Sequence, residues 1–145
     1  MFSKVRKIVF AGAVVASLAA YANGCAIIGT VDFGISFRPQ QSVRATDCTT
    51  AQVATVKFMF FDQALGNSLR VEVPRPCVVG ERYKVSIDLG PYQIRVQGLN
   101  GVQAVCYESS IDLRIEGGKT EVLNLEAQQH PAGMAGGCVY PTITM

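Results

Sequence analysis

The sequence predicts an all-β domain: an antiparallel two-sheet sandwich of about seven strands, preceded by a helical export signal. Three observations support this prediction. Apolar and polar residues alternate with a period of two, turn residues separate the alternating runs, and no stretch after residue 28 shows a sustained helical stripe. Alternation places one set of side chains on a core and the other set in water, as strands of a half-buried sheet require.

The alternating runs follow one another at intervals typical of a sandwich. Their apolar positions run from Val31 to Phe37, Val56 to Phe60, Leu69 to Val73, Tyr83 to Leu89, Tyr92 to Val96, Ile111 to Ile115 and Leu123 to Leu125. Residues 58–61 (FMFF) are apolar on both faces, which predicts a central strand. Pro74 and Pro76 cannot donate ladder hydrogen bonds, so they are expected at an edge or at a strand end.

Four residue pairs mark turns between these runs. Gly66-Asn67, Gly90-Pro91 and Gly117-Gly118 each separate two predicted strands. Asn100-Gly101 is a strong signal for a hairpin with a type I′ turn, because both central residues of that turn need a positive φ.

The chain has the length of one domain, 145 residues. We expect a signal peptide over residues 1–24, a short tether over residues 25–30 and the sandwich domain over residues 31–145. A mature chain of this size buries enough surface for an independent core.

Two stretches within the domain predict irregular structure. Residues 39–51 are polar and predict a long loop, and residues 128–137 (QQHPAGMAGG) predict a linker. Residues 139–145 fit a short final strand that Cys138 would hold in place.

The first residues have the three parts of an export signal. Lys4, Arg6 and Lys7 form a basic n-region, residues 8–20 (IVFAGAVVASLAA) form an apolar h-region, and small residues follow. The apolar run is short for a membrane span, which needs about 20 residues. The sequence therefore predicts a protein that is exported.

Two cleavage sites compete. Cleavage after Ala22, at the A-x-A sequence of residues 20–22, would release a soluble protein. Residues 22–25 (ANGC) resemble a bacterial lipobox, with Ala22 where leucine is usual. The resemblance implies that the Cys25 thiol carries a diacylglycerol and that a second peptidase cuts before it. The residue after the lipobox cysteine is Ala26, and not the aspartate that commonly retains lipoproteins at the inner membrane. This resembles the pattern of lipoproteins that are sorted to the outer membrane of a Gram-negative cell.

The number of cysteines favours the lipid. An exported chain permits disulfides, and an odd cysteine there is a liability. If Cys25 carries lipid, four cysteines remain for two bridges: Cys48, Cys77, Cys106 and Cys138. Their separations of 29, 29 and 32 residues are unlike those of zinc ligands. Three connectivities stay open, and we favour Cys77–Cys106 with Cys48–Cys138.

Charge and motifs exclude several functions. Without residues 1–24 the chain has 10 cations and 11 anions, and it has no basic run, which argues against a nucleic-acid partner. No nucleophile-elbow, Walker A or dinucleotide-binding motif occurs. His130, the single histidine, lies in the predicted linker without partner residues for a triad or a zinc site. We expect no catalytic residue, no metal, no cofactor and no enzymatic activity.

The remaining charged and aromatic residues predict a solvated sheet face. The acids are Asp88, Glu108, Asp112, Glu116 and Glu121, and the bases on the same face are Arg82, Lys84, Arg95 and Arg114. We expect acids and bases to pair across strands rather than to converge on a calcium or glycosidase site. Tyr83 and Tyr92 are in register with the apolar residues, so we expect them to pack in the core rather than to form a binding patch.

Several segments resemble the immunoglobulin-like or prealbumin-like modules of bacterial surface lipoproteins, which include carboxypeptidase regulatory-like domains. The resemblance lies in residues 80–85 (GERYKV), 89–96 (LGPYQIRV), 106–110 (CYESS) and 115–122 (IEGGKTEV), within residues 53–127. It implies a sandwich fold and a non-enzymatic role as a spacer, adhesion unit or binding module.

Two functional hypotheses follow. The first is a lipid-anchored, non-enzymatic module of the cell envelope, held at the outer membrane by the lipid on Cys25, with an envelope protein or a glycan as its partner. The second is a secreted, non-lipidated subunit of a surface fibre or adhesin, in which an exposed sheet edge recruits a neighbouring strand.

Overall fold

A computed structural model describes residues 27–143, and these residues form the all-β fold that the sequence predicts. The strands are β1 (Ile28–Arg38), β2 (Thr55–Asp62), β3 (Ser68–Pro76), β4 (Tyr83–Asp88), β5 (Gly90–Leu99), β6 (Val105–Ile115) and β7 (Thr120–Gln129). One helical turn, α1 (Cys48–Ala51), follows β1, and 3₁₀ turns lie at Gln63–Leu65 and Met134–Gly136. The predicted signal peptide and Cys25 lie outside the described residues.

The seven strands form one mixed sheet in the order β3-β2-β5-β6-β7-β1-β4, and not the two antiparallel sheets expected from the sequence. β6 and β7 pair only at Tyr107–Gln129 and Glu108–Gln128, and these two positions join β3-β2-β5-β6 to β7-β1-β4 in a single sheet. β1 and β7 run parallel. No hairpin joins the first strand to the last, so nothing in the connection imposes an antiparallel direction. The result is nearly a barrel.

The sheet folds over so that the inner faces of β1 and β2 pack together. Phe33 of β1 stacks on Phe58 of β2 with ring centroids 4.6 Å apart. Val31, Phe33 and Phe37 are fully buried, as the alternation of β1 predicts. The FMFF run lies in β2, which was expected to be central; β2 is an interior strand with partners on both sides, β3 and β5, but it is next to the edge of the sheet.

β3 and β4 are the two edges of the sheet, and no ladder joins them among the described residues. The edges approach closely, since Arg70 Nη2 lies 2.6 Å from Asp88 Oδ2. The N–H of Cys77 donates to the carbonyl of Ala54, just before β2, at 2.9 Å. Because successive backbone nitrogens of a strand point in opposite directions, the nitrogens of Pro74 and Pro76 point away from β2, towards the seam between β3 and β4. A proline nitrogen has no hydrogen to donate, and this end of the seam therefore cannot form a ladder.

The four cysteines within the described residues form disulfides, as expected, but the favoured connectivity is wrong. The bridges are Cys48–Cys77 and Cys106–Cys138, with Cα separations of 5.9 Å and 5.6 Å. The end of β3 carries Cys77 to α1, and the chain after β7 returns past the start of β6. These approaches depend on strand order, which the spacing of cysteines does not encode.

The hairpin at Asn100 is present, but its turn is not type I′. The side-chain oxygen of Asn100 accepts hydrogen bonds from the backbone N–H groups of Val102 and Ala104, at 3.1 Å and 2.9 Å. The positive φ, 66°, falls on Gln103 instead of Gly101. The asparagine side chain thus supports a longer turn than the dipeptide suggests.

Element boundaries differ from the prediction in four places. β1 begins at Ile28, so residues 28–30 of the expected tether belong to the sheet. β6 begins at Val105, six residues before the predicted run, and β7 extends through residues 128 and 129 of the expected linker. Residues 139–143 contain no strand.

Candidate functional site

One backbone position on the outer edge of β1 lacks a partner strand. Phe33 pairs with Tyr83 at the start of β4, and Phe37 exchanges hydrogen bonds of 2.9 Å and 2.7 Å with Thr46. Alternation directs the N–H and C=O of Ile35 to the same side as those of Phe33 and Phe37. Among the described residues, no hydrogen bond reaches Ile35 from that side. Ile35 is thus an open rung between two filled ones.

The open rung at Ile35 lies in a groove of about 500 Å³. We call it the Ile35 groove; it lies between the edge of β1 at residues 34–36, the loop of residues 77–82, and Asp47 with Cys48 at the start of α1. Its volume falls within the range of about 300–1,000 Å³ usual for ligand pockets. The Cys48–Cys77 disulfide lies in its wall and joins its two sides.

The loop of residues 77–82 forms the side of the groove that precedes β4. Gly80 has a φ of 79°, and the N–H of Glu81 donates to the carbonyl of Val78 at 3.2 Å, which closes a tight turn. The Tyr83 hydroxyl accepts from the N–H of Val78 at 3.1 Å and donates to the carbonyl of Pro76 at 3.2 Å. The disulfide and the tyrosine therefore hold this loop at both of its ends.

Arg82 crosses the outer face of β1 beside the groove. Its guanidinium donates to the carboxylate of Asp32 at 3.0 Å, to the Asp32 carbonyl at 3.0 Å and to Asn124 Oδ1 at 2.8 Å. A Cβ at Gly34 would lie 2.5 Å from Arg82 Nη1, so the glycine lets the arginine lie flat on the strand. The charge of Arg82 is consequently balanced by Asp32 rather than left for a ligand.

Two exposed carboxylates that have no ion-pair partner among residues 27–143 flank the groove. Asp47 accepts a hydrogen bond from the N–H of Thr50 at 2.9 Å as the cap of α1, and Glu81 lies at the opposite side, before β4. The third carboxylate, Glu126, is paired with Arg38 at 2.8 Å. The lining of the groove therefore carries one uncompensated carboxylate at each side of the open rung, with Arg44 and Lys84 just outside the lining.

The inner wall of the groove is apolar. Ile35 and Leu125 are neighbours in the parallel β1–β7 ladder and are both partly buried. Val78 and Val79 are about half exposed on the facing loop, at 49% and 52%. An apolar floor with charged sides suits a short amphipathic segment better than a small polar molecule.

The structure does not bring the residues singled out in the sequence into one site. His130 lies at the end of β7, where its Nδ1 accepts from the N–H of Ala132 at 3.2 Å. Tyr83 and Tyr92 are buried in the core, as expected, with exposed fractions of 6% and 1%. Among residues 27–143, no three His, Cys, Asp or Glu side chains gather where they could hold a metal ion.

The expected cross-strand ion pairs form in part. Arg82 pairs with Asp32, and Arg95 approaches Glu108 at 3.8 Å. The other acids have different partners: Asp88 pairs with Arg70, Glu116 with Lys119, and Asp112 accepts from Gln63. No ion pair of Lys84 or Arg114 occurs within the described part of the chain.

The residues of the groove were not predicted as a site. Ile35 is an ordinary member of the β1 alternation, and its open rung depends on where β4 begins. Asp47 and Glu81 lie in segments that the sequence marks only as loops. The single available signal is the apolar pair Val78-Val79 directly after Cys77, which predicts an exposed apolar surface beside a disulfide.

Comparisons with known proteins identify no family for this chain. No protein-family model and no curated protein matches the sequence. Matching solved structures include a leucine-rich repeat protein from Bacteroides thetaiotaomicron (15% identity, TM-score 0.45), the minor pilin of Streptococcus agalactiae (13%, 0.44) and the Bacillus anthracis TIE protein (13%, 0.40). These matches cover 70%, 74% and 70% of this chain and only 12%, 47% and 16% of the other chains.

Two further observations concern the compartment. Both disulfides are of the kind that persists in oxidising compartments, which agrees with export. None of the helices that the structure describes has the length and apolar character to cross a membrane.

Proposed function

We propose that this protein is a non-enzymatic binding module of the bacterial cell envelope, anchored through a lipid on Cys25, and that the Ile35 groove is its binding surface. The observation that carries the proposal is the open rung at Ile35 within a groove of about 500 Å³. Of the four charged side chains that line it, three are held in structural contacts: Asp47, Arg82 and Glu126. Such engagement supports a role in binding rather than in proton transfer.

The cysteine pairing supports the lipid. Cys48, Cys77, Cys106 and Cys138 bond to one another, which leaves Cys25 as the odd cysteine of an exported chain. β1 begins only three residues after Cys25, so an anchored domain would be held close to the membrane. Ile35 lies seven residues beyond Ile28, about 23 Å along the strand at roughly 3.3 Å per residue. The groove would then open away from the membrane.

Mass spectrometry of the mature N-terminus tests the anchor. The N-terminal peptide should begin at Cys25 and carry two or three acyl chains, because two chains suffice for stable anchoring whereas one chain binds only marginally. Cys25→Ser should leave unprocessed precursor or release the protein from the membrane fraction. An unmodified mature chain that begins at Asn23 would overturn the proposal.

The alternative is a secreted subunit of a fibre or adhesin assembly. The unpaired edges of β3 and β4 favour it, since an open edge can recruit a strand. The outward-facing Pro74 and Pro76 weigh against it, because they remove donors from one of those edges. Sedimentation velocity separates the two functions: a monomer supports the anchored module, and a ladder of oligomers supports the assembly subunit.

A further inference from the structure

The outer edge of β1 is a series of rungs with one place empty. Val31 and Phe33 pair with residues of β4. Phe37 pairs with Thr46, a single residue from an otherwise irregular segment. Thr46 shows that this edge accepts a rung from one residue of a chain that does not continue as a strand. Ile35 offers the same pair of groups, one N–H and one C=O, in the same direction.

We propose that the Ile35 groove binds an extended segment of another polypeptide, one residue of which forms a two-bond rung with Ile35. This inference rests on the proposed function, because it specifies the ligand of the same groove. Strand addition at a sheet edge is a common mode of peptide recognition, in which main-chain hydrogen bonds give affinity and alternate side chains give specificity. Here the neighbouring rungs at Phe33 and Phe37 limit the added segment to about three residues.

The geometry of the rung determines the side chain at the centre of the segment. In an antiparallel pair, two directly opposed residues place their side chains on the same face of the sheet. The residue opposite Ile35 would therefore point inwards, to Ile35, Leu125 and the Cys48–Cys77 disulfide. These groups are apolar, so we expect a small apolar side chain such as valine at the centre.

The two flanking residues would point to the outer face, where the charges select them. Asp47 lies at the Thr46 side of the open rung and Glu81 lies at the β4 side. Arg82 is neutralised by Asp32, and Glu126 by Arg38. Within the lining of the groove, the charge left for a ligand is thus that of Asp47 and Glu81, while Arg44 and Lys84 lie beside them on the adjoining surface. The segment that fits this lining has the pattern basic–apolar–basic.

Fluorescence anisotropy with synthetic peptides tests the pattern. The titrated protein is the full mature chain, purified in detergent, and the probe is a labelled Gly-Ser-Lys-Val-Lys-Ser-Gly peptide. Replacing both lysines by glutamate should weaken binding about tenfold or more, since two attractive contacts become two repulsive ones. Methylation of the valine nitrogen removes the donor to the Ile35 carbonyl and should weaken binding about fivefold.

Substitutions in the protein test the two flanking carboxylates. Glu81→Gln and Asp47→Asn remove charge only, and asparagine retains the capping oxygen of α1. Each should weaken binding of the lysine peptide by about twofold to fivefold and reduce the preference over the glutamate peptide. Glu116→Gln is the matched control, because Glu116 lies beside Gly29 at the opposite end of β1; it should bind the peptide as the unaltered protein does.

Four results would overturn the inference. Equal binding of the methylated and unmethylated peptides would exclude the rung, and equal binding of lysine and glutamate peptides would exclude charge selection. Self-association that blocks the groove, measured by sedimentation, would make a second copy of this chain the occupant. Absence of peptide binding by a protein whose Cys25 carries lipid would refute this inference alone, whereas an unmodified N-terminus at Asn23 would refute the proposed function whatever the peptides do.

Discussion

The two exposed stretches of sheet edge, along β3 and along β1, are treated differently by the sequence. On β3, Pro74 and Pro76 stand at positions whose nitrogens face outwards, so a neighbouring strand finds no donor there. On β1, the outward N–H and C=O of Ile35 are both available for hydrogen bonds. They lie in a groove between the paired positions Phe33 and Phe37. One end of the long edge is thus protected against pairing, while one short position on β1 stays available. This difference favours selective binding of one segment over polymerisation through open edges.

The largest expected effect comes from removing a disulfide. The two disulfides close loops of similar length, but only Cys48–Cys77 lies in the wall of the groove. Removing either bridge, as Cys48→Ala with Cys77→Ala or as Cys106→Ala with Cys138→Ala, should lower the free energy of unfolding by about 3–4 kcal/mol in the chain-entropy account. Only the first pair should also abolish peptide binding, because Cys48–Cys77 joins the two sides of the groove. Urea unfolding and anisotropy measure the two effects, and equal loss of binding in both pairs would contradict the comparison.

The next effect concerns the loop that precedes β4. Tyr83→Phe removes the hydroxyl that holds Val78 and Pro76, leaving the Val78 N–H without its partner. The free energy of unfolding should fall by about 1–2 kcal/mol, and the peptide should bind more weakly because the loop is looser. Thermal unfolding and anisotropy check both; a variant with unchanged stability and affinity would show that the hydroxyl does not hold the loop.

The fold and the site differ in how far the sequence predicted them. The alternation around Phe33, Phe58 and Tyr83 depends on local periodicity, so most strands and buried faces were predicted correctly. Leu69 and Leu89 are exceptions: both were expected on buried faces and are exposed, because Leu69 lies at the start of an edge strand and Leu89 lies between β4 and β5. Disulfide partners, the single sheet and the open rung at Ile35 depend on which strands become neighbours, and this is decided by contacts distant in sequence. The start of β6 was missed because Glu108, Ser109 and Ser110 interrupt its apolar pattern.

Restoring donors to β3 tests the other side of the comparison. Pro74→Thr with Pro76→Thr places two N–H groups on the outward edge, where threonine fits a strand. We expect concentration-dependent self-association in sedimentation velocity, with a stability loss of about 1 kcal/mol or less. The matched control, Arg75→Thr, changes a residue whose N–H already faces β2, and it should remain monomeric. A double variant that stays monomeric without gaining stability would show that the prolines do not protect the edge, whereas a more stable monomer would show that the new donors pair with β4 across the seam.

The smallest effect on stability contrasts two buried tyrosines. Tyr107 is fully buried, its hydroxyl has no hydrogen-bond partner among the described residues, and burial raises its pKa to about 12. Tyr107→Phe should therefore leave stability near neutral pH almost unchanged, unlike Tyr83→Phe, because no hydrogen bond is lost.

The same pKa gives this contrast a pH dependence. The phenol ionises near pH 10 in the unfolded chain and near 12 in the folded protein, so its contribution is present below pH 10 and is lost as the pH rises from 10 to 12. Tyr107→Phe should lose less stability than the unaltered protein across that window, as urea unfolding at pH 9 and pH 11.5 would measure. Parallel loss in both proteins would contradict the assignment.

Amide hydrogen exchange along β1, followed residue by residue by NMR, tests the open rung most directly. The N–H groups of Phe33 and Phe37 are bonded to neighbours and should exchange slowly, whereas that of Ile35, between them in the same strand, should exchange at least about a hundredfold faster. Addition of the Lys-Val-Lys peptide should slow Ile35 and leave its neighbours unchanged. Slow exchange at Ile35 in the free protein, matching that of Phe33 and Phe37, would contradict the account.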